Sequence, residues 1–133
     1  QGLHLPETYD RFRKRCETMR DRLLSTLEIA KKQGRRVAGY GASAKSTTVL
    51  NYCGIGPELI EFISDTTLLK QGKYSPGMHI PIRPHNDFKT EYPDYALLFA
   101  WNHKQEIMAK ELDFTKFGGR WITFFPEVEA MEA

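Results

Sequence analysis

No run of 18 apolar residues occurs in this 133-residue chain, so no membrane span is expected. There are only two cysteines, Cys16 and Cys53, and neither falls at metal-ligand spacing with another cysteine or with the four histidines, His4, His79, His85 and His103. A metal site built by the chain itself is therefore not expected. Both cysteines sit at apolar positions of predicted helices and read as buried free thiols, which suits a reducing cytoplasm. No signal peptide is visible, and the first residue is Gln1 rather than Met, which reads as a cut inside a longer protein. The chain has no internal repeat and no low-complexity linker. It also lacks a Ser-His-Asp order, a paired-carboxylate pattern and the Gly-Lys-Ser/Thr ending of a P-loop, since Ala44 precedes Lys45. Nucleotide hydrolysis is disfavoured, and chemistry by this chain alone is poorly supported.

What is present points to a folded domain. Apolar residues make up 41% of the chain and aromatic residues 12%, which excludes disorder, and the length suits one domain with a real core. The net charge of +2 is unevenly spread. Residues 1–36 hold ten Lys/Arg against five Asp/Glu, and residues 37–133 hold nine against twelve. The basic excess, notably Arg11, Arg13, Lys14 and Arg15, reads as a solvated helix face or a surface for an acidic neighbouring domain. A nucleic-acid partner is the weaker reading and is not expected.

Hydrophobic periodicity assigns the elements. Phe12, Cys16, Met19, Leu23, Leu27 and Ala30 form an amphipathic stripe that predicts a long helix over 7–33, ended by Gly34. Beyond it strands and helices alternate. Strands are expected at Val37–Tyr40, Ile60–Ser64 and Tyr95–Trp101, with a last one at Trp121–Phe125 stopped by Pro126. An extended edge segment is expected at His79–Ile82, because Pro81 cannot donate to a ladder. Helices are expected at Ala44–Cys53 and Lys104–Leu112, with a polar connection from Asp87 to Pro93 and a turn at Gly118-Gly119. The alternation implies an α/β, Rossmann-like fold: a mostly parallel sheet of about five strands flanked by helices, behind a long N-terminal amphipathic helix. The expected division is 1–34, the helix that could lead from an upstream domain, and 35–133, the ligand-binding unit.

The segment Val37 to Thr48 is the most informative. Gly39-x-Gly41-x-x-Ala44 between a strand and a helix fits a dinucleotide-type fingerprint. On that pattern Gly39 allows a tight turn, Gly41 admits a phosphate to the backbone, and Ala44 lets the helix pack close to the strand. The helix N-terminus offers N–H groups and a positive dipole end, with Lys45 and the hydroxyls of Ser43, Ser46 and Thr47 beside it. The other reading is a purely structural turn. Asp65, at the end of the second strand, is either a ribose acceptor or an Asx-turn residue. The loop Lys70 to His79 brings Lys70, Lys73, Tyr74 and His79 toward the carboxyl ends of the strands. There the lysines could bind phosphate and Tyr74 could stack on a base; otherwise it is an exposed loop. Trp101 and Asn102 end the Tyr95–Trp101 strand, with Asn102 a possible helix cap. His103 is a weak acid–base candidate, with Glu106 one turn along.

Taken in order, the motifs are Gly39-Tyr-Gly-Ala-Ser-Ala-Lys45, Asp65-x4-Lys70-x-Gly72, Ser75-Pro-Gly-Met-His-Ile-Pro-Ile82, Pro93-Asp-Tyr-x4-Ala-Trp-Asn102 with Glu106-Ile107, Gly119 and Phe125-Pro126. This series, over residues 7–129, resembles the C-terminal domain of the S-adenosylmethionine-dependent sugar C-methyltransferases. The resemblance implies a parent protein with a zinc-binding N-terminal domain and a central methyltransferase domain. Its substrate would be a nucleotide-diphosphate-linked keto-deoxysugar, methylated through an enolate. It also implies that Gly39, Tyr40, Gly41, Ala42, Ser43, Ala44 and Lys45 cradle the diphosphate, with the Lys70–His79 loop and Trp101-Asn102 walling the same cleft. S-adenosylmethionine and zinc would belong to the other domains, so this part would bind without methylating. Two alternatives stay open: a free-standing Rossmann domain that senses NAD(P) or a coenzyme A thioester, and a structural module that docks through its long first helix.

Overall fold

The computed structural model of the chain describes residues 5–67, 69–124 and 129–131. Helix α1 runs over Leu5–Lys32 and stops where Gly34 turns left-handed at φ 72°, its successor Arg35 donating back to the Ala30 carbonyl. Then follow β1 (Val37–Tyr40), α2 (Ala44–Cys53), β2 (Ile63–Asp65), β3 (Ile82–Pro84) and α3 (His85–Thr90). The chain continues through β4 (Tyr95–Leu98), a 3-10 turn at Trp101–His103, α4 (Lys104–Lys110), α5 (Leu112–Lys116), β5 (Arg120–Thr123) and β6 (Glu129–Met131).

The six strands form one sheet in the order β3-β2-β1-β4-β5-β6, with the first five parallel and β6 antiparallel to β5. This is the doubly wound arrangement that the alternating pattern predicts, with the strand order reversing between β1 and β4. Period-2 alternation sorts each strand's side chains between two cores. Val37, Ile63, Ile82, Leu97 and Ile122 pack with Leu23, Leu27 and Ala30 of α1 and Leu50 and Cys53 of α2. Ala38, Ala96, Leu98 and Trp121 face the other way, onto Phe62, Phe88 of α3 and Phe114 of α5. Cys53 is buried and Cys16 partly buried, and both are free thiols. Burial pushes the Cys53 thiol up to about 11.

Several boundaries differ from expectation. The second strand starts at Ile63 rather than Ile60, and β4 ends at Leu98. The edge strand is there, but it begins at Ile82; Pro81 before it only accepts, from the Ile63 N–H. The supposed polar connection contains α3, a six-residue helix whose single buried residue, Phe88, is too little apolar content for periodicity to register. The helix expected over Lys104–Leu112 is two helices broken at Glu111, which has non-helical φ −106° and ψ 40°. The glycine pair of the last turn divides its work. Gly118 takes φ 93°, while a Cβ on Gly119 would lie 2.2 Å from the Phe114 ring. Strand β6 was not foreseen. Phe125 and Pro126 lie outside the described residues. No helix among the described residues is long and apolar enough to cross a membrane.

Candidate functional site

The loop from β1 to α2 is held by its own polar groups. Gly41 has φ 94°, a conformation that favours glycine, and its N–H donates to the Ser64 carbonyl at 2.8 Å. The Ala42 N–H donates to Asp65 Oδ2 at 2.7 Å. Ser43 caps α2 in a reciprocal box with Ser46: the Ser46 N–H donates to Ser43 Oγ, and the Ser43 N–H donates to Ser46 Oγ at 2.9 Å. The amides of Gly41, Ala42 and Ser43 are therefore engaged inside the protein. The expected nest of free amides narrows to the helix start, where the Ala44 N–H has no acceptor among the described residues. The polar groups left to face a ligand here are mainly side chains.

The structure supplies those side chains. A cavity of about 320 Å³ lies against the N-terminus of α2, lined by Ala42, Ser43, Ala44 and Thr47 on one side and by Lys70, Lys73 and Tyr74 on the other. Ser46, Ser75, Pro76 and Ile82 complete it; Ser75 and Pro76 belong to the loop expected to wall the cleft, and Ile82 was not expected there. Lys70 Nζ donates to the Ala42 carbonyl, which pins the β2–β3 loop onto the β1–α2 turn. Asp65 braces both sides: besides Ala42, its Oδ1 accepts the Thr67 N–H at 2.7 Å, an Asx-turn. Burial raises the Asp65 carboxyl, but hydrogen bonds from Thr67 and Ala42 and the Lys70 charge outweigh it, so the net shift is downward. The carboxylate is thus committed to loop geometry. Two lysines, hydroxyls and a helix N-terminus around one cavity are groups that can donate hydrogen bonds to an anion.

Other expected site residues fall elsewhere. Gly39 sits inside β1, where a Cβ would come within 2.9 Å of the Phe99 ring; it makes room for core packing rather than for a turn. Ala44 is exposed; the buried residues here are Ala42, ahead of the cap, and Ser46 in the first turn of α2. Tyr40 points to the opposite face of the sheet, edge-on to Phe88 and Trp121 at 5.4 Å. His79 is exposed with φ 59°, closing the Ser75–Ile80 turn through its N–H to the Ser75 carbonyl; it does not line the cavity. His103 is exposed and faces Glu106 at 3.2 Å on the surface, away from the cavity. The N-cap of α4 is His103, not Asn102, and no side chain caps it. Trp101 opens the 3-10 turn after β4. Lys45 and Asn102 do meet, with Nζ to Oδ1 at 3.4 Å, and so bridge the β1 and β4 loops where the strand order reverses.

A polar cluster on the second face was also not foreseen. Glu111, only 1% exposed, accepts the Tyr40 hydroxyl and lies 2.5 Å from His85 Nε2. Burial first, and then Glu111, raise the Tyr40 phenol above its ordinary range. In sequence Glu111 reads as one more surface charge on a helix; only the break between α4 and α5 drops it into the core.

The chain matches a family model described as the C-methyltransferase C-terminal domain over residues 1–126. The C-methyltransferase NovU of Streptomyces niveus is 41% identical over 133 residues, which is all of this chain and 32% of NovU. The chain thus spans about a third of the curated relative that it matches. With the doubly wound sheet and the cavity at α2 in place, these two matches settle one thing plainly: the chain belongs to the C-methyltransferase C-terminal domain family.

Proposed function

We propose that this domain holds the nucleotide-diphosphate part of a nucleotide-linked deoxysugar for a C-methyltransferase whose catalytic apparatus lies in other parts of the parent chain. In this reading residues 35–133 form the binding unit and residues 1–34 the connecting helix. The observation that carries it is the convergence of Lys70, Lys73 and Tyr74 on the N-terminus of α2 around one cavity. The lysines offer charge to the diphosphate, Ser43 and Thr47 offer hydroxyls, and exposed Tyr74 offers a ring to the base.

The family implies S-adenosylmethionine in the parent protein, but the cavity does not suit it. Its sulfonium is a cation, whereas two lysines line the cavity and the nearby Asp65 is committed to Ala42 and Thr67. The zinc that the resemblance implies would belong to the parent's N-terminal domain; among the described residues here no three His, Cys, Asp or Glu side chains are grouped to hold a metal. Ligand binding, not methyl transfer, is what these residues support.

An amide NMR titration tests the reading, with thymidine diphosphate, NAD and S-adenosylmethionine added in turn. Saturable shifts at Ala44, Lys45, Lys73 and Tyr74 with thymidine diphosphate alone are expected. Saturation with NAD alone would replace the proposal with the sensor reading, and shifts confined to residues far from α2 would remove the site.

A further inference from the structure

The apolar stripe of α1 is progressively less covered toward the N-terminus: Met19 and Cys16 are partly buried, and Phe12 and Tyr9 are exposed. The stripe buried at Leu23 and Leu27 continues toward the N-terminus through Met19, Cys16, Phe12 and Tyr9, in steps of four, three, four and three. Phe12 is 58% exposed and Tyr9 66%. At its inner end the seam runs into a mainly apolar cleft of about 380 Å³, lined by Met19, Val49, Phe99 and Phe124 and by Ala44, Lys45 and Thr48. Cleft and seam form one continuous apolar strip.

The charges around the seam are sorted. On the helical wheel, Arg13 and Arg20 flank it on one side and Arg15 and Arg22 on the other, while Asp10, Glu17 and Asp21 fall on the outer face with Arg11 and Lys14. Arg13 makes a one-turn pair with Asp10 at 3.1 Å. Arg20 pairs with Asp21 at 3.2 Å and lies over the Tyr52 ring. Such surface pairs are weak and leave the rim basic. Pairing the seam with a second copy, parallel or antiparallel, would set arginine against arginine along both edges. The rim therefore selects a partner with an apolar ridge edged by carboxylates.

We propose that the first four turns of α1, together with the cleft at Met19, form the surface on which another domain of the parent C-methyltransferase docks through such an acid-edged apolar ridge. The inference rests on the reading that the chain is one domain of a longer methyltransferase. It agrees with the match to only 32% of NovU, which leaves most of that relative's length outside this domain. Docking orders a helix half that, without tertiary packing, is marginal in water.

Hydrogen exchange followed by mass spectrometry tests this on the full-length parent enzyme and on the present chain, each at several concentrations. Exchange of residues 9–19 is expected to be at least tenfold slower in the parent. Phe12→Glu, and separately the triple reversal Arg13→Glu, Arg15→Glu, Arg22→Glu, are expected to abolish that slowing. Those side chains are exposed, so the variants keep the fold. Equal exchange in the two proteins overturns the proposal. So does protection in the present chain that grows with concentration, the mark of a second copy. Protection that survives Phe12→Glu removes the seam, and protection that survives the reversal removes the acidic rim. Thymidine diphosphate titration of the unmodified chain and of the Phe12→Glu chain keeps the two claims apart: absence of binding to the unmodified chain would refute the proposed function and leave the docking result standing.

Discussion

Replacing Glu111 by alanine is the sharpest test of how the second face is held. The carboxylate is almost fully buried, accepts the Tyr40 hydroxyl and contacts His85 Nε2. Each hydrogen bond to a charged group contributes about 1.5–3 kcal/mol, and the orphaned hydroxyl adds a desolvation cost. Removing a buried charge recovers part of this, so Glu111→Ala is expected to lose about 3 kcal/mol of unfolding free energy. At about 4 °C of Tm per kcal/mol for a domain of this size, that is a fall of about 12 °C. Glu111→Gln keeps the shape and an acceptor for Tyr40, so it is expected to lose about half as much. Urea and thermal unfolding of both variants decide the matter. A loss under about 1 kcal/mol for Glu111→Ala would refute the claim that the buried carboxylate organises this face. The same contact has a pH signature. The Tyr40 phenol is raised in the folded state, so the fold favours its neutral form. Its contribution is complete below the unfolded value of about 10 and declines as pH rises beyond it. Stability is therefore expected to fall above that pH, and Tyr40→Phe to flatten the fall.

Three further outcomes are expected. Lys73→Ala should weaken thymidine diphosphate binding about tenfold and lower its salt dependence, since a charge-assisted contact is lost; unchanged affinity and slope by calorimetry would leave Lys73 out of the site. Gly39→Ala pushes a methyl to 2.9 Å from the Phe99 ring and 3.1 Å from Ile63 Cγ1, which should cost about 2 kcal/mol by chemical denaturation; a neutral result would mean that the ring yields freely. Asp65 is lowered in the fold, so its contribution holds above the unfolded value of about 3.9 and is lost as pH falls. Asp65→Asn should accordingly lose less stability between neutral and acid pH than the unsubstituted chain, and an equal loss in both would show that the Asx-turn is not what acid breaks.

The strand–turn–helix of Val37 to Cys53 was legible because each signal in it is local. A period-2 run, a left-handed glycine at Gly41 and a Ser43/Ser46 cap each act within a few residues. The stripe of α1 was legible for the same reason, and a mostly parallel sheet was expected from strands alternating with helices, although β2 and β3 pair parallel with no helix among the described residues between them. Glycines misled where crowding, not φ, required them. Gly39 reads like a turn glycine, yet it answers to Phe99, 60 positions away in sequence. Ala44 fits the fingerprint's packing position, yet it is exposed, and Ser46 is the residue that the first turn of α2 buries.

Residue order by itself thus determined the α/β class, the strand-to-helix turn and the amphipathic first helix, since backbone conformation and apolar periodicity are short-range properties. Tertiary structure alone decided that Tyr40 turns away from the cavity to Glu111 and His85, and that Asp65 is committed to backbone amides. The loop of Lys70, Lys73 and Tyr74 was expected near the turn before α2, but only the tertiary structure showed which of its side chains line the cavity and left His79 and His103 outside. A side chain's partners depend on which distant segments the sheet register sets beside it, and no local pattern carries that information.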